Sequence, residues 1–225
     1  MKKISLVLIL FISFFSITEE KEIVFQGKKF VITFPDGYCD QTDTIMGQFL
    51  LPIMKQNAIN MDEDPVLPLI IFSKCGQNFN FGGANYPLGW VAIQNFGFVL
   101  SQEEANNFME ELLRDESFID EVNQVTKKGN EKTFRDLGIK AKIKGISTDR
   151  NGWLWGDENV GIFLMFNEGL IKDKVNKERV LGALTMVDEY QIAIYISDDQ
   201  NGDVDFEVLT YELAINGERL AKKNR

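Results

Sequence analysis

The sequence contains no histidine, and this absence limits its possible chemistry more than any motif that is present. Ser-His-Asp and Cys-His nucleophile systems need an imidazole that titrates near neutral pH, and the HExxH site uses histidines to bind its metal. Neither kind of site can be built from this chain. Histidine-dependent hydrolases and HExxH metalloenzymes are therefore excluded.

Cysteine is almost absent, since Cys39 and Cys75 are the only two. A zinc site made of four cysteines is impossible with two. In an oxidising compartment, an even and minimal cysteine count predicts an intramolecular disulfide between Cys39 and Cys75. The alternative that this pattern leaves open is a pair of buried free thiols.

Basic residues are fewer than acidic ones, with 24 Lys and Arg against 34 Asp and Glu and a formal charge of −10. Proteins that bind nucleic acid present a basic stripe or patch to the phosphates, and this balance of charge opposes such a patch. We expect no nucleic-acid partner, no metal and no cofactor.

Residues 1–18, MKKISLVLILFISFFSIT, predict a secretory signal peptide. Two lysines precede an apolar run, which ends before Ser16 and Thr18 at the spacing that a signal peptidase recognises. A retained membrane anchor is the alternative, but about a dozen apolar residues are fewer than the ~20 that a spanning helix needs. No cysteine precedes Cys39, which excludes a lipid-modified cysteine after the cleavage point. We expect an exported protein, periplasmic or secreted, without a transmembrane segment.

The stretch Glu178–Ser197 is the most informative part of the chain, and it predicts a central β-hairpin with a two-residue turn at Asp188 and Glu189. Alternation along two paired strands divides the side chains between two faces. One face carries Leu181, Ala183, Thr185, Val187, Tyr190, Ile192, Ile194 and Ile196, and the other carries Gly182, Leu184, Met186, Ala193 and Tyr195. Both faces are mostly apolar, so we expect a covering layer on each.

The order of the remaining elements predicts an α+β fold in which helices pack on a mainly antiparallel central sheet. Residues 19–225 are expected to form a single domain, because the chain shows no linker or internal repeat. The expected strands besides the hairpin are 22–25, 29–34, 66–73, 90–100, 137–144 and 160–167. The expected helices are 42–59, one that begins at a Ser101 and Glu104 capping box, 117–125, and about 204–222.

The expected helices carry specific predictions. The first places Ile45, Phe49 and Ile53 on one apolar stripe and should be kinked or divided at Pro52. The helix after Ser101 places Ala105, Phe108, Met109, Leu112 and Leu113 on one face. The closing helix has an apolar stripe of Phe206, Leu209, Leu213 and Leu220, and we expect it to be weakest at Asn216 and Gly217.

The segments between these elements also carry predictions. Residues 126–132 are expected to be a polar connector. The alternating lysines Lys140, Lys142 and Lys144 predict an edge strand, although an anion site would use the same residues. Pro68 predicts an edge position or an irregular entry for the strand that contains it.

Phe30–Tyr38, FVITFPDGY, is a strand that runs into Pro-Asp-Gly and an aromatic residue, and at the far end a hydrophobic hairpin precedes a terminal helix. These features resemble the PsbP-like and DcrB-like group of small exported domains. The resemblance covers most of the mature chain in element order. It implies a central antiparallel sheet between helices and a non-enzymatic accessory or binding role, and it brings no catalytic residue to this chain.

Two aromatic loops are the strongest candidate binding surface. Phe79, Phe81 and Tyr86 lie in one Gly/Asn-rich loop, and Trp153 and Trp155 lie in another. Aromatic side chains on loops that a rigid sheet supports are common contacts with a ligand or partner. We expect a non-enzymatic binding or accessory domain that presents these loops to a protein or glycan partner in the cell envelope. The alternative is that the rings fold back onto the edge of the core.

An acidic segment resembles a calcium loop in spacing, through Asp199, Asn201, Asp203 and Asp205. Val204 stands where such a loop needs glycine, and an acidic turn before a helix N-terminus explains the same residues.

Adjacent acids such as Asp157-Glu158 and Asp198-Asp199 leave open a second function, a carboxylate-dependent hydrolase of the cell envelope that needs no histidine. Neighbouring acids do not by themselves have the separation that acid/base catalysis needs. We assign no catalytic residue.

Overall fold

The computed structural model of the chain describes residues 19–61, 64–77, 87–138, 141–147, 152–171, 174–199 and 205–225. These residues form ten strands and four helices, and the α+β class is confirmed. The strands are β1 (Glu20–Phe25), β2 (Lys28–Thr33), β3 (Tyr38–Asp40), β4 (Leu67–Lys74), β5 (Leu88–Asn95), β6 (Ala141–Ser147), β7 (Trp153–Gly156), β8 (Gly161–Ile171), β9 (Lys174–Val187) and β10 (Tyr190–Asp199). The helices are α1 (Ile45–Met61), α2 (Gln102–Arg114), α3 (Glu116–Asp136) and α4 (Phe206–Asn224).

The predicted signal peptide, residues 1–18, lies outside the described residues. Within those residues, no helix is both long and apolar enough to cross a membrane.

Eight strands form one antiparallel sheet in the order β3-β4-β5-β10-β9-β8-β6, and β7 pairs with β8 off this path. β9 pairs with β8 along the whole of one edge, so β6 and β7 share the other edge. The predicted central hairpin is confirmed, because Val187 lies opposite Tyr190 and Leu181 opposite Ile196 across a two-residue turn. This register also confirms how the hairpin's side chains divide between the two faces.

One face of the sheet is covered by α4 and by the β1-β2 hairpin, which forms a separate two-stranded sheet. The apolar stripe predicted for α4 is confirmed: Leu209, Leu213 and Leu220 are buried in this core, and Phe206 packs at its margin. Full burial of one such side chain stabilises the fold by about 1.5–3 kcal/mol. Of the two apolar clusters in the described residues, the one on this face is the larger.

The weakness predicted for α4 at Asn216 and Gly217 is wrong, because the helix continues to Asn224. A Cβ at Gly217 would lie 2.5 Å from Cγ2 of Val160 and 3.4 Å from Oγ1 of Thr185. Glycine at this position lets the helix approach the sheet more closely than any other residue would. Close packing therefore outweighs the low helix propensity of glycine.

The opposite face is covered by α2 and α3, which share a second apolar cluster with the sheet, and α1 packs along α3. The predicted capping box of α2 is confirmed: the Glu104 N–H donates to the Ser101 hydroxyl at 3.2 Å, and the Ser101 N–H donates to the Glu104 carboxylate at 2.9 Å. The hydrogen bonds that the Ser101 N–H and the Ser101 hydroxyl donate to the Glu104 carboxylate lower the pKa of that carboxyl group. Ala105 and Leu113 are buried as expected, but Phe108 is 54% exposed.

The polar connector predicted over residues 126–132 is wrong, because α3 continues to Asp136. This half of α3 packs on α1 without an apolar stripe. The Asn60 amide donates to the Thr133 hydroxyl at 2.9 Å, and a Cβ at Gly129 would lie 2.5 Å from the Met61 side chain. Leu137, which we placed in a strand, follows the helix and is exposed.

The apolar stripe predicted for α1 does not face the sheet. Ile45 is 75% exposed and Phe49 is also exposed, whereas Met46 and Leu51 are buried. Apolar residues occur on every side of this helix, so their spacing does not define its inner face. α1 is one continuous helix across Pro52, so the chain is not divided there.

The predicted disulfide is confirmed, with the Cα atoms of Cys39 and Cys75 5.0 Å apart. Cys39 lies in β3, and Cys75 directly follows β4, its antiparallel neighbour. The disulfide therefore fastens one end of the sheet.

The irregular entry predicted at Pro68 is also confirmed, because the pairing of β4 with β5 shifts between Pro68 and Ile70.

Candidate functional site

The structure places only part of the predicted aromatic surface. Phe79, Phe81 and Tyr86 lie outside the described residues. Trp153 and Trp155 lie in β7, a short strand, and not in a loop as predicted. The candidate site is therefore β7 with its surroundings.

Trp153 is partly buried at the edge of the core. It lies opposite Phe163 in β8 and packs against the second apolar cluster, beneath α2. A Cβ at Gly161 would lie 2.2 Å from Cη2 of its indole ring, so the ring occupies the space above that glycine. For Trp153, the structure therefore agrees with the alternative prediction, in which the aromatic rings fold back onto the edge of the core.

Trp153 begins a row of aromatic residues that crosses five neighbouring strands. The pairing of β7, β8, β9, β10 and β5 aligns Trp153, Phe163, Gly182, Tyr195 and Trp90. The Phe163 ring contacts Tyr195 edge to face at 6.0 Å between centroids, and Tyr195 stacks on Trp90 at 5.0 Å. The Phe163 ring also covers Gly182, where a Cβ would lie 2.3 Å from it.

Burial in this row raises the pKa of the Tyr195 hydroxyl to about 12. Tyr195 therefore stays neutral at physiological pH and serves as an aromatic packing group, not as a base. No local sequence pattern predicts this row, because its members come together only through the register of five strands.

Trp155 is placed differently, although it is only two residues from Trp153. The pairing of β7 with β8 shifts between the two tryptophans, and Trp155 lies opposite Ile162. Its side chain is 36% exposed, and that of Leu154 is exposed as well. Among the described residues β7 pairs with β8 alone, so Trp155 and Leu154 lie at an open edge of the sheet.

The end of β7 is held by a polar contact from α2 and by a tight turn. The Asn106 amide donates to the backbone carbonyl of Asp157 at 2.8 Å. The Asp157 carboxylate accepts the backbone N–H groups of Asn159 at 2.7 Å and Val160 at 2.9 Å. Both contacts fix the backbone that carries Trp155.

Asp157 and Asp198, one from each acidic pair considered for catalysis, have structural partners. Asp157 caps the turn after β7, as described above. Asp198 is buried on the α4 face, 3.4 Å from the Arg179 guanidinium, which in turn lies 4.0 Å from the centre of the Phe206 ring. This arrangement assigns neither acid to proton transfer.

Asp205, the last acid of the segment with calcium-loop spacing, has the place at a helix N-terminus that the alternative predicted. Asp205 is the N-cap of α4, and its carboxylate accepts the N–H groups of Glu207 at 3.0 Å and Val208 at 3.2 Å. Asn201 and Asp203 lie outside the described residues. Among the residues that the structure describes, no group of three or more acids or cysteines is placed to hold a metal ion.

The lysines of the predicted edge strand fall in and before β6. Lys142 and Lys144 belong to β6, which ends the order of the sheet, so the edge position is confirmed. Lys140 lies outside the described residues.

No family model matches this chain, and no curated protein is significantly similar to it. The resemblance to PsbP-like and DcrB-like domains therefore stays a prediction.

Proposed function

We propose that this protein is an exported, non-enzymatic binding or accessory domain that contacts a protein or glycan partner through the open edge at β7. One observation carries the proposal: two tryptophans two residues apart have different surroundings. Trp153 is partly buried against the second apolar cluster, whereas Trp155 is exposed on a strand that, among the described residues, is paired on one side. The first tryptophan anchors the strand and the second is available to a partner.

The chemistry of an indole at such a position favours binding. Tryptophan supplies a large contact area, and few of its torsions have to be fixed on binding. The anchored Trp153 and the hydrogen bond from Asn106 to Asp157 fix the backbone of β7 in advance, which reduces the entropy lost on association. Aromatic residues of this kind dominate the binding energy of many interfaces, and their flat faces also stack on sugar rings.

The exported location is part of the same proposal. It is supported by the N-terminal sequence, which is typical of a signal peptide, and by the disulfide between Cys39 and Cys75.

The test compares Trp155→Ala with the unaltered mature protein as bait in an extract of the cell envelope. Loss of a tryptophan that dominates an interface costs about 2 kcal/mol or more, which is roughly 30-fold in Kd. We therefore expect Trp155→Ala to lose the recovered partner. Tyr211→Ala is the matched control, because it removes a 69% exposed aromatic ring from α4.

Trp155→Ala should melt somewhat lower than the unaltered protein, because part of the indole is covered, but it should still unfold cooperatively well above the assay temperature, so that a loss of partner is not a loss of folding. Equal recovery by Trp155→Ala and the unaltered protein would refute the β7 edge as the contact. Probing a glycan array with the same proteins then separates a sugar ligand from a protein ligand.

A further inference from the structure

The outer side of α1 has an unusual composition. Over its whole length, which the structure describes, this helix exposes six side chains, and none of them carries a charge: Ile45, Gln48, Phe49, Pro52, Gln56 and Ile59. With 3.6 residues per turn, the six lie within about 100° around the helix. They form one continuous strip, which we call the α1 outer face, directed away from the buried residues Met46, Gly47 and Leu51.

The α1 outer face is apolar as well as uncharged. Ile45 is 75% exposed, Ile59 is 54% exposed and Phe49 is 53% exposed. The chain carries 34 acidic residues, yet α1 contains none, and its single charged residue is Lys55. A contiguous apolar patch on the surface of a charged protein is typical of an interaction site. The α1 outer face is therefore a candidate contact surface in addition to β7.

The side chains of this face follow nearly the same order in both directions from Pro52. An isoleucine lies seven residues to either side and a glutamine four residues to either side, as Ile45 with Ile59 and Gln48 with Gln56. The remaining member, Phe49, lies three residues before Pro52, and Lys55 lies three residues after it. The Lys55 side chain is partly exposed at the margin of the face.

A face that has the same order in both directions is complementary to a second copy of itself turned end to end. We propose that two copies of this chain associate through their α1 outer faces, with the helices antiparallel about a twofold axis at Pro52. Ile45 of each copy then contacts Ile59 of the other, and the two glutamines of one copy face those of the other. A twofold contact repeats every pairing, so the assembly closes at two copies.

The remaining pairing in this arrangement joins Phe49 to Lys55 of the second copy. The aliphatic part of a lysine side chain packs on apolar surface while its ammonium stays in water. The same ammonium is attracted to the face of an aromatic ring. Every exposed side chain of α1 thus meets a compatible group, and the one charge of the helix keeps its contact with water.

Charges around the α1 outer face do not drive this contact. Asp43 precedes the helix, 3.8 Å from the Lys21 ammonium, and residues 62–64, all acidic, follow the helix in the sequence. An antiparallel pair brings the acid before one helix toward the acids after the other, which weakens the contact. α3 packs beside α1 and exposes bases and acids together: Lys127, Lys128, Glu131, Lys132, Arg135 and Asp136. The association therefore rests on burial of apolar surface, and salt should strengthen it by screening the acids.

Two other kinds of occupant fit this face less well. A helix that lies on a membrane carries Lys and Arg opposite its apolar side, whereas α1 has one lysine and belongs to an acidic chain. An unrelated protein needs apolar surface but gives no reason for a face that mirrors itself about Pro52. A second copy accounts for both features.

Cysteine crosslinking tests the geometry, because Cys39 and Cys75 are joined to each other and an introduced cysteine is then the one free thiol. Pro52→Cys places a thiol on the twofold axis, where it meets its own copy, and should form an interchain disulfide under mild oxidation. Tyr211→Cys, at a 69% exposed position on α4, is the control and should crosslink far more slowly.

A mixture of two variants tests the antiparallel direction. Ile45→Cys alone and Ile59→Cys alone should crosslink poorly, because each thiol lies about 21 Å along the helix axis from its own copy. An equimolar mixture of the two variants should crosslink one to the other, because position 45 of one copy faces position 59 of the second.

Sedimentation velocity measures the association itself. A single pair of helices buries less surface than the ~1,200–2,000 Å² of a standard interface, so we expect a weak dimer. The unaltered mature protein should contain dimer at about 0.5 mM protein. The dimer fraction should be larger near 1 M salt, where charges are screened over ~3 Å, than near 0.01 M, where they are screened over ~30 Å.

A matched pair of charge insertions tests which surface is used. Ile59→Lys should be monomeric, because it places a charge against Ile45 of the second copy. Tyr211→Lys adds the same charge at an exposed position on α4, so it changes the net charge equally and should keep the dimer. Circular dichroism of each variant separates loss of association from loss of folding.

Four results would overturn the proposal. One is an unaltered protein that is monomeric at about 0.5 mM in both salt concentrations, and another is a Pro52→Cys variant that crosslinks no faster than Tyr211→Cys. A third is an Ile45→Cys variant that crosslinks to itself as readily as to Ile59→Cys. The fourth is a monomeric protein whose Pro52→Cys variant crosslinks in cells to a different protein, or which binds vesicles of phosphatidylglycerol and phosphatidylcholine, because the face then belongs to that other occupant.

Discussion

The buried amide of Asn216 exchanges two hydrogen bonds with Thr33. It donates to the Thr33 backbone carbonyl at 2.9 Å and accepts from the Thr33 hydroxyl at 2.7 Å. The two residues are 183 positions apart, so this pair fastens the closing helix α4 to the first hairpin of the domain.

Replacing Asn216 with Ala should destabilise the protein by about 2–3 kcal/mol, because a buried carbonyl and a buried hydroxyl both lose their partner. Urea unfolding measures this loss as a lower midpoint at unchanged slope. Thr33→Val in the Asn216→Ala background should cost little more, since the hydroxyl has already lost its close acceptor and keeps only the backbone carbonyl of residue 216 at 3.5 Å. Additive losses from the two substitutions would contradict the pairing.

Replacing Gly217 with Ala should destabilise the protein, although alanine has the higher helix propensity. The new Cβ would lie 2.5 Å from Cγ2 of Val160, and overpacking of this kind costs about 1–3 kcal/mol. Adding Val160→Ala should recover part of the loss, because it removes the contacted methyl group. A Gly217→Ala variant that melts higher than the unaltered protein would show that α4 does not approach the sheet this closely.

Local sequence patterns predict the central hairpin with its register, because a two-residue turn at Asp188 and Glu189 fixes which residues face each other. They do not predict the role of Gly217. Helix propensity is a local property and marks Gly217 as a weak point of α4, whereas the close approach of Val160 depends on the tertiary structure.

The local nature of sequence patterns also explains the other wrong predictions. The C-terminal half of α3 was missed because its inner face uses Thr126, Gly129 and Thr133 in place of apolar residues, and hydrogen bonds replace the usual hydrophobic contact. For the candidate site, the sequence identified Trp153 and Trp155 but could not separate them. Their different surroundings come from a shift in the pairing of β7 with β8, and no local sequence pattern predicts that shift.

Removing the disulfide should lower the melting temperature without abolishing folding. The bond joins residues 36 positions apart, and the chain-entropy model assigns about 3–4 kcal/mol to a loop of this length. Cys39→Ser with Cys75→Ser should melt at a lower temperature than the oxidised protein and should not respond to reductant. Two titratable thiols in the denatured, unreduced protein from its exported location would show that the bond does not form there.

The carboxylate of Asp40 should contribute stability that depends on pH. Burial alone would raise its pKa, but hydrogen bonds from the Lys21 ammonium and from Thr42 outweigh burial and lower the pKa below its usual value. A lowered pKa in the folded state means that the contribution is complete above the unfolded pKa of about 4 and is lost as pH falls through the folded value.

Asp40→Asn should therefore be less stable than the unaltered protein at about pH 7, and the difference should shrink near pH 3 as the carboxylate is protonated. Urea unfolding of both proteins at the two pH values measures this difference in the free energy of unfolding. A difference that stays constant between them would show that the charge of Asp40 contributes nothing. Glu111→Gln is the control, since its carboxylate is exposed on α2, on the other side of the sheet from Lys21.

Photocrosslinking in living cells tests the proposed binding function most directly. A benzophenone side chain placed at Leu154, beside Trp155 on β7, inserts into C–H bonds of whatever lies against that edge, whether protein or glycan. The same group at Tyr211 on α4 is the control for an exposed position away from β7. We predict a discrete crosslinked product from position 154 that is absent at position 211 and is lost when Trp155→Ala is added. No product at position 154 in cells that export the protein, or the same products at both positions, would contradict the proposal that β7 contacts a specific partner.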